Sequence, residues 1–545
     1  MINNNGTVII QIVPLFTNSP YLMRFTAIAN ILFMASILAG CLNNRVIIPL
    51  SEGEKVWGGR IADGYEMPYN NGFASSLYNN SGNQVNPLLL TNKGRYVWSE
   101  QPFDFKIEDN RIIINNNSAD IQTGINGHTL KSAFQKASSL FFPANGAIPP
   151  QEFFKMPQYN TWIELMYNQN QDGIIEYAEN ILANGLPPGI IMIDDTWQDD
   201  YGKWVFDSER FYNPKSMIDR LHQLGFKVML WICPFVSMDQ YLICSNINAF
   251  NGFLRSKDGN PYPVRWWNGT SAVLDLSNPK SVEWFKGELD RLMKDYGIDG
   301  FKFDAGDFDF YPEEAVSFSG KTSGAEQCSI FVQLAEKYEY NELRAGWKNA
   351  GKAIVQRLHD KDHSWEDLNK LIPEMLAENL MGYSFSCPDM VGGGSFMTFL
   401  EGNIDQDLLV RSAQCHALMP MMQFSLAPWR VLDKEHYEAI IEAVGIRNKM
   451  QSYIDDLIVR SAKSGEPIIS PLEYMFPERG YSEIKDQFML GDSIMVTPML
   501  TAGSKRTIIV PEGEWLSDTG ETITGDIIIE INVPLERLPY FIKQK

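Results

Sequence analysis

Basic residues are in short supply. The 545-residue chain carries 46 Lys and Arg against 67 Asp and Glu, a formal net charge of −21 at pH 7. That balance argues against a phosphate-rich partner held by charge, so no nucleic-acid ligand is expected. Cysteine is sparse as well: six residues, at 41, 233, 244, 328, 387 and 415, with no C-x-x-C pair. A zinc ribbon and a dithiol redox motif are excluded, and a disulfide framework is not indicated. Of only six histidines, His359 and His363 in HDKDH have the spacing of the H-E-x-x-H zinc motif without its glutamate. They read as a solvated turn, and no metal or cofactor is expected. No G-x-G-x-x-G follows an early strand to mark a dinucleotide crevice.

What is present describes a folded protein. Hydrophobic residues make up 44%, aromatics 12% and charged residues 21%, a composition that packs, and the length predicts two to four domains. Near the start, Arg24 precedes an apolar run over residues 25–38, interrupted by Asn30 and shorter than the ~20 residues that cross a bilayer. The run ends in Leu38-Ala39-Gly40-Cys41, which resembles a bacterial lipobox. Residues 1–40 are therefore expected to be a leader and lipoprotein signal peptide, with Cys41 as the lipid-bearing first residue of the mature chain. The expected location is exported and membrane-anchored, on the periplasmic side of the outer membrane or at the cell surface, with membrane contact only through that lipid.

Three domains follow from the patterning. Residues 41–157 are dense in Asn, Gly and Ser between short apolar or alternating runs, which predicts an antiparallel β-sandwich. Residues 158–462 alternate apolar strands with amphipathic helices: strands at 162–166, 189–193, 227–232, 300–303, 353–358, 383–387 and 420–424, and helices at 172–184, 214–224 and 279–296. This rhythm fits a (β/α)8 TIM barrel, with one or two strands unresolved. Residues 463–545 return to β character as a C-terminal β-sandwich. The fold class is α/β.

In such a barrel the chemistry sits at the C-terminal strand ends. Acids stand there at three places: Asp194 and Asp195 in IIMIDDTWQ, Asp304 in DGFKFDAGD, and Asp389 in SFSCPDMVGGG. Two carboxyl groups facing one bond, one ionised and one protonated, are what glycoside hydrolysis needs, with no cofactor. Lys302 points the same way as Asp304 on its strand and lowers its pKa, making Asp304 the nucleophile. Asp389, on a loop with glycines at 392–394, takes the acid/base role. Asp307, one turn past Asp304, either orders the site from behind or is purely structural. The role of Asp195 stays open, and Trp429 either walls the pocket or belongs to the core.

The segments EKVWGG, IDDTWQ, WVFDSERFYNPK, VMLWICPFVS, GFKFDAGD, PDMVGGG and QFMLGDSIMVTPML together resemble glycoside hydrolase family 31, over nearly all of residues 53–545. The resemblance implies a retaining, exo-acting α-glycosidase that takes an oligosaccharide or glycoconjugate. By position it implies Asp304 as nucleophile and Asp389 as acid/base, with Asp194, Trp197, Trp231 and Lys302 at the sugar pocket. The family's α-glucosidases carry an Arg before the acid/base and a His after a late strand. Here Ser384-Phe-Ser-Cys-Pro388 precedes Asp389, and Gln423-Phe-Ser-Leu-Ala-Pro-Trp429 replaces the His segment. The paired Asp and the Lys-x-Asp element also resemble those of other α-galactosidase families, so α-galactosidase is the favoured reading. An α-glucosidase, an α-xylosidase, a transglycosylase and a non-catalytic glycan-binding lipoprotein are the alternatives.

Overall fold

The computed structural model describes residues 45–115, 121–320, 322–400 and 402–544; the expected signal peptide and Cys41 lie outside them. Two antiparallel sheets open the described chain. One orders Arg45–Pro49, Arg111–Asn115, Asp104–Ile107 and Ala74–Ser76 side by side. The other contains Val56–Arg60, Gln84–Thr91, Arg95–Trp98 and Gln122–Ile125. Every residue of Gln84–Thr91 is buried, because the barrel covers the face that a free sandwich would show to water. A short strand from the barrel, Gly346–Trp347, adds to Gln84–Thr91 in parallel and stitches the two units together.

The barrel strands are β1 (Gln158–Asn160), β2 (Ile190–Ile193), β3 (Lys227–Ile232), β4 (Gly300–Phe303), β5 (Tyr340–Leu343), β6 (Val355–Arg357), β7 (Ser386–Cys387) and β8 (Gln423–Phe424). Each pairs in parallel with the next from β1 to β7, and β8 pairs with β1. At the seam between β7 and β8, Val391 N donates to Gln423 O at 2.7 Å. Strands β2 and β4 are buried throughout, as strands must be when helices cover one face and a packed barrel interior the other; the one charge among them, Lys302, is paired with Asp194. Helices α1 (Gln171–Ala183), α2 (Pro214–Gln223) and α3 (Pro279–Tyr296) start at Asn170, Asn213 and Asn278, whose side chains accept from backbone N–H groups of the first turn. Proline opens α2 and α3, and α3 stops at Gly297, φ +80°. Three later helices matter below: α4 (Trp365–Leu380), α5 (Gln406–Ala417) and α6 (Lys434–Ser464).

Two expectations for the barrel fail. Residues 162–166 are not a strand: the strand is β1, and the chain turns where the Asn160 side chain accepts from Trp162 N at 2.8 Å, leaving Trp162–Leu165 as one helical turn. Strand β5 went unread because its sequence, YNEL, is half polar. Asn341 and Glu342 are nonetheless buried, inside a barrel whose interior is partly a hydrogen-bonded polar layer: Gln423 Nε2 donates to Gln158 Oε1 at 3.0 Å and to Glu342 Oε2 at 2.9 Å.

Arg447 on α6 ties the barrel base. Fully buried, it donates through Nη1 to the carbonyls of Ala417 (3.1 Å) and Met419 (2.8 Å), and through Nη2 to those of Pro420 (2.7 Å) and Phe154. Replacing it by Met strands these buried acceptors. Arg447→Met is expected to cost about 3 kcal/mol or more, read as a lower denaturation midpoint; an unchanged midpoint would disprove the anchoring role.

The C-terminal domain is a six-stranded antiparallel sheet running from Ile469–Ser470 to Thr522–Thr524, with Lys505–Val510 and Ile527–Asn532 paired beside it. Its own small core forms around Trp515, Met489 and Phe541.

Candidate active site

A cavity of about 390 Å³ opens at the C-terminal ends of the barrel strands. Its floor is Asp194, Asp195, Trp231, Lys302 and Asp304, and Arg344, His359 and Asp360 form one wall. Trp162, Tyr167 and Phe396 stand on the rim with ring centres 5.2–5.7 Å apart, edge to face. Ser81 and Gly82, from the N-terminal domain, complete it.

Asp304 lies one residue past β4, and each of its oxygens is held. Oδ1 accepts from Arg344 Nε at 3.0 Å and from Ala305 N at 2.8 Å, and Oδ2 accepts from Trp231 Nε1 at 3.0 Å. Burial by itself would raise its pKa. Arg344 foremost, then Lys302 and Arg357, reverse this and keep the carboxyl far below the usual aspartate range. Asp304 is thus an ionised carboxylate beside an open cavity. Lys302 Nζ donates to Asp194 Oδ2 at 2.6 Å; burial opposes the ammonium charge, but Asp194 and Asp304 raise its pKa above the ordinary lysine value. The floor therefore offers an acceptor and a donor side by side.

Asp195 is tied to the loops. Tyr201 Oη donates to its carboxylate at 3.1 Å and Asn268 Nδ2 at 2.6 Å, and Thr196 N and Gln198 Nε2 donate as well. Burial first, with Asp194 adding to it, pushes the Asp195 carboxyl up to about 7 despite those bonds. Asn268 sits at the tip of the hairpin formed by Pro263–Trp266 and Gly269–Val273, so this anchor holds the neighbouring Trp267, half exposed, over the cavity. Arg344 also fills its remaining donors: Nη2 reaches Asp307 Oδ2 at 2.6 Å and Nη1 reaches Asp307 Oδ1 at 3.0 Å. Asp307 acts through Arg344 and does not line the cavity.

Asp389 is not where the sequence reading put it. Its residue is 0% exposed and it forms no part of the cavity wall. The chain turns back at this point, with Asp389 at φ +25°, Gly392 at +87° and Gly393 at +102°, and the carboxylate folds inward. Oδ1 accepts from Arg357 Nη1 at 2.7 Å, and Oδ2 accepts from Lys361 N at 2.7 Å and Gly394 N at 3.0 Å. A group so enclosed has no path to a substrate oxygen. The carboxyl on the cavity wall is Asp360, three residues past the end of β6, its side chain 42% exposed and its Oδ1 accepting from Arg357 Nη1 at 2.9 Å.

Trp197, expected at the sugar pocket, and Trp429, left open between pocket wall and core, are both absent from the cavity lining. Trp197 is completely buried, donates Nε1 to Trp231 O at 2.8 Å, and packs on Phe206 with centres 4.7 Å apart. It supports the floor from below and lines nothing. Trp429 packs against Tyr177 on α1, outside the barrel, 5.8 Å between centres. Trp231, Lys302, Asp194 and Asp195 do reach the cavity.

Sequence reasoning passed over Asp360, Arg344, Asn268 and the N-terminal loop around Asn80. A signal existed for Asp360: it stands two residues past the strand expected at 353–358, as Asp389 does past the one expected at 383–387, but it is embedded in HDKDH and was read there as turn. That segment is more than a solvated turn. His359 N donates to Asn83 Oδ1 at 2.7 Å, and His363 bridges loops by donating from Nδ1 to Gly392 O at 2.9 Å while Nε2 accepts from Asp405 N at 3.1 Å. Among the described residues no group of His, Cys, Asp and Glu is arranged to hold a metal. From the other domain, Asn80 Nδ2 donates to Asp307 Oδ1 at 3.0 Å and Gly82 O accepts from Arg344 Nη1 at 2.7 Å.

Comparison with known proteins agrees with this architecture. Residues 149–457 match the glycosyl hydrolases family 31 TIM-barrel domain, and residues 465–545 match the glycosyl hydrolase family 31 C-terminal domain. A mouse relative, myogenesis-regulating glycosidase, is 31% identical over 423 residues, 74% of this chain and 58% of the mouse protein. Alpha-glucosidase 2 of Bacillus thermoamyloliquefaciens is 27% identical over 430 residues, 72% of this chain and 53% of the Bacillus enzyme. The chain thus spans little more than half the length of these relatives. In fold it is similar to a family 31 dextranase of Flavobacterium johnsoniae complexed with glucose, at a TM-score of 0.80 and 17% identity, covering 92% of this chain and 66% of that one. Since the family's barrel model alone accounts for more than half of the residues, from the turn before β1 into α6, the chain belongs to glycoside hydrolase family 31.

Proposed function

We propose that the chain is a retaining α-glycosidase that removes terminal α-linked sugars, with Asp304 as nucleophile and Asp360 as acid/base. The observation that carries this is the pair of carboxyls on one cavity: Asp304 ionised and fixed by Trp231 and Arg344, Asp360 exposed on the wall. Asp304 attacks the anomeric carbon as protonated Asp360 gives its proton to the departing glycosidic oxygen. A covalent glycosyl-aspartate results. Asp360, now a carboxylate, takes a proton from water, which attacks the same carbon, expels Asp304 and restores the original configuration.

For the sugar we propose galactose. The Asp194 and Lys302 pair supports this, an acceptor and a donor 2.6 Å apart that suit adjacent hydroxyls. The α-glucosidase reading has gained ground on one observation. The missing Arg before Asp389 counted against glucose, yet with Asp360 as acid/base both Arg344 and Arg357 precede it, and Arg344 lines the cavity. Aryl α-galactoside, α-glucoside and α-xyloside, compared by kcat/KM, decide between them; preference for the equatorial 4-hydroxyl would refute galactose.

Arg344→Met offers a second check. Asp304 must be ionised to attack, and its depressed pKa keeps it so in acid; without the guanidinium it takes up a proton sooner as pH falls. The acidic limb of kcat/KM is expected to move up by about 1–3 pH units. A limb that stays put would show that Arg344 does not set the nucleophile's charge.

A further inference from the structure

Around the cavity, each buried cation has a carboxylate partner of its own. Lys302 has Asp194 at 2.6 Å, Arg344 has Asp307 at 2.6 Å, Lys361 has Glu374 of α4 at 2.5 Å, and Arg357 has Asp389 at 2.7 Å. The last pair differs from the others because the guanidinium nitrogen concerned, Nη1, is shared with Asp360 at 2.9 Å. Gly394 stands between the two carboxylates, and a Cβ there would lie 2.8 Å from Asp360 Oδ1 and 2.8 Å from Asp389 Oδ1. Two carboxylates thus share the two hydrogens of one guanidinium NH2 across a gap that admits only glycine.

We propose that Asp389 is a positioning residue that neutralises Arg357 and so lets Asp360 carry the proton it must donate. The inference rests on Asp360 being the acid/base. Were Arg357 uncompensated, its charge would favour ionised Asp360, and the acid would be spent before the pH at which the enzyme works. Asp389 meets the conditions for such a role. It is removed from solvent, which pushes its carboxyl up to about 7 against the pull of Arg357 and Lys361, but all three of its hydrogen bonds are accepted ones, as an ionised carboxylate requires; Lys361 N and Gly394 N lock it so that it cannot turn toward the cavity, and it offers Arg357 the shorter of the two contacts. The other charged or titratable groups facing this cluster are engaged elsewhere or lie further off. Glu342 on β5 is 3.5 Å from Arg357 Nε and accepts from Gln423, Lys361 Nζ is bound to Glu374, the His363 ring donates to Gly392 O, and on the β4 side Lys302 is paired with Asp194 and Asp304 with Arg344. His416 of α5 lies with Asp389 on a small void behind the site, and burial holds its imidazole neutral with a lowered pKa.

The test compares pH profiles of kcat/KM on an unactivated disaccharide for the parent, Asp389→Asn and Arg357→Gln. With Asp389→Asn the alkaline limb, which reports loss of the acid's proton, is expected to fall by about one pH unit or more. Hydrolysis of a dinitrophenyl glycoside, whose leaving group needs no proton, is expected to change much less. Arg357→Gln removes the cation, and the limb is expected to move the opposite way, to higher pH; this second variant keeps the test alive if Asp389→Asn does not fold. Limbs that stay put in both variants, or equal losses on the two substrates, overturn the proposal. If Asp360→Asn retains full activity on the disaccharide, the acid/base assignment itself falls and takes the inference with it. If Asp360→Asn behaves as an acid/base variant while the limbs do not move, the inference alone falls.

Discussion

Asp304→Asn is expected to lower turnover by about 10⁴-fold or more, with folding intact. The substitution keeps the shape and, with its amide oxygen toward Arg344 Nε and Ala305 N, two of the three bonds, but it sets an NH2 against the Trp231 indole N–H and deletes the attacking charge. Intact-mass measurement with a 5-fluoroglycosyl fluoride provides the direct reading. The parent is expected to gain one glycosyl unit, mapped to the peptide containing Asp304, and the variant none. A label on another carboxylate would remove Asp304 from its role.

Asp360→Ala should split substrates by leaving group. On unactivated disaccharides, loss of the general acid is expected to cost about 10²–10⁴-fold. Dinitrophenyl glycosides, which leave unaided, should still glycosylate Asp304 at close to the parent rate, and the covalent intermediate then accumulates because no base activates water. Azide, a nucleophile that needs no base, is expected to restore turnover and to yield the α-glycosyl azide. Equal losses on both substrate classes, with no azide product, would assign the acid/base role to another residue. Asp389 could not be that residue without leaving its three hydrogen bonds.

Those two residues mark how far the sequence could be read. Strands β3 and β4 and helix α3 were legible to the residue, since burial on both faces favours apolar residues, broken in β4 only by Lys302, and α3 is bracketed by Asn278, Pro279 and Gly297. Strand β5 was not, because Glu342 faces a polar interior layer whose existence depends on Gln423 and Gln158, both distant in sequence. For the site, the rule that acids at strand ends do chemistry located Asp194, Asp195 and Asp304 on the cavity. It failed at Asp389 because it says nothing of direction. A positive φ and two glycines turned that carboxylate inward, while Asp360 emerged from a segment that looked like a turn. Trp197 failed likewise: proximity in sequence to Asp194 and Asp195 does not decide which side of the backbone an indole takes.

The reach of Asn80, Gly82 and Asn83 into the barrel loops has a bearing on how such a protein can be divided. Arg344 and His359 each donate a hydrogen bond to that one excursion of the first domain, and Asp307 accepts one from it. The barrel is consequently no transplantable catalytic cartridge, and any exchange of the leading domain for another would have to supply a matching finger or forfeit the geometry around the nucleophile.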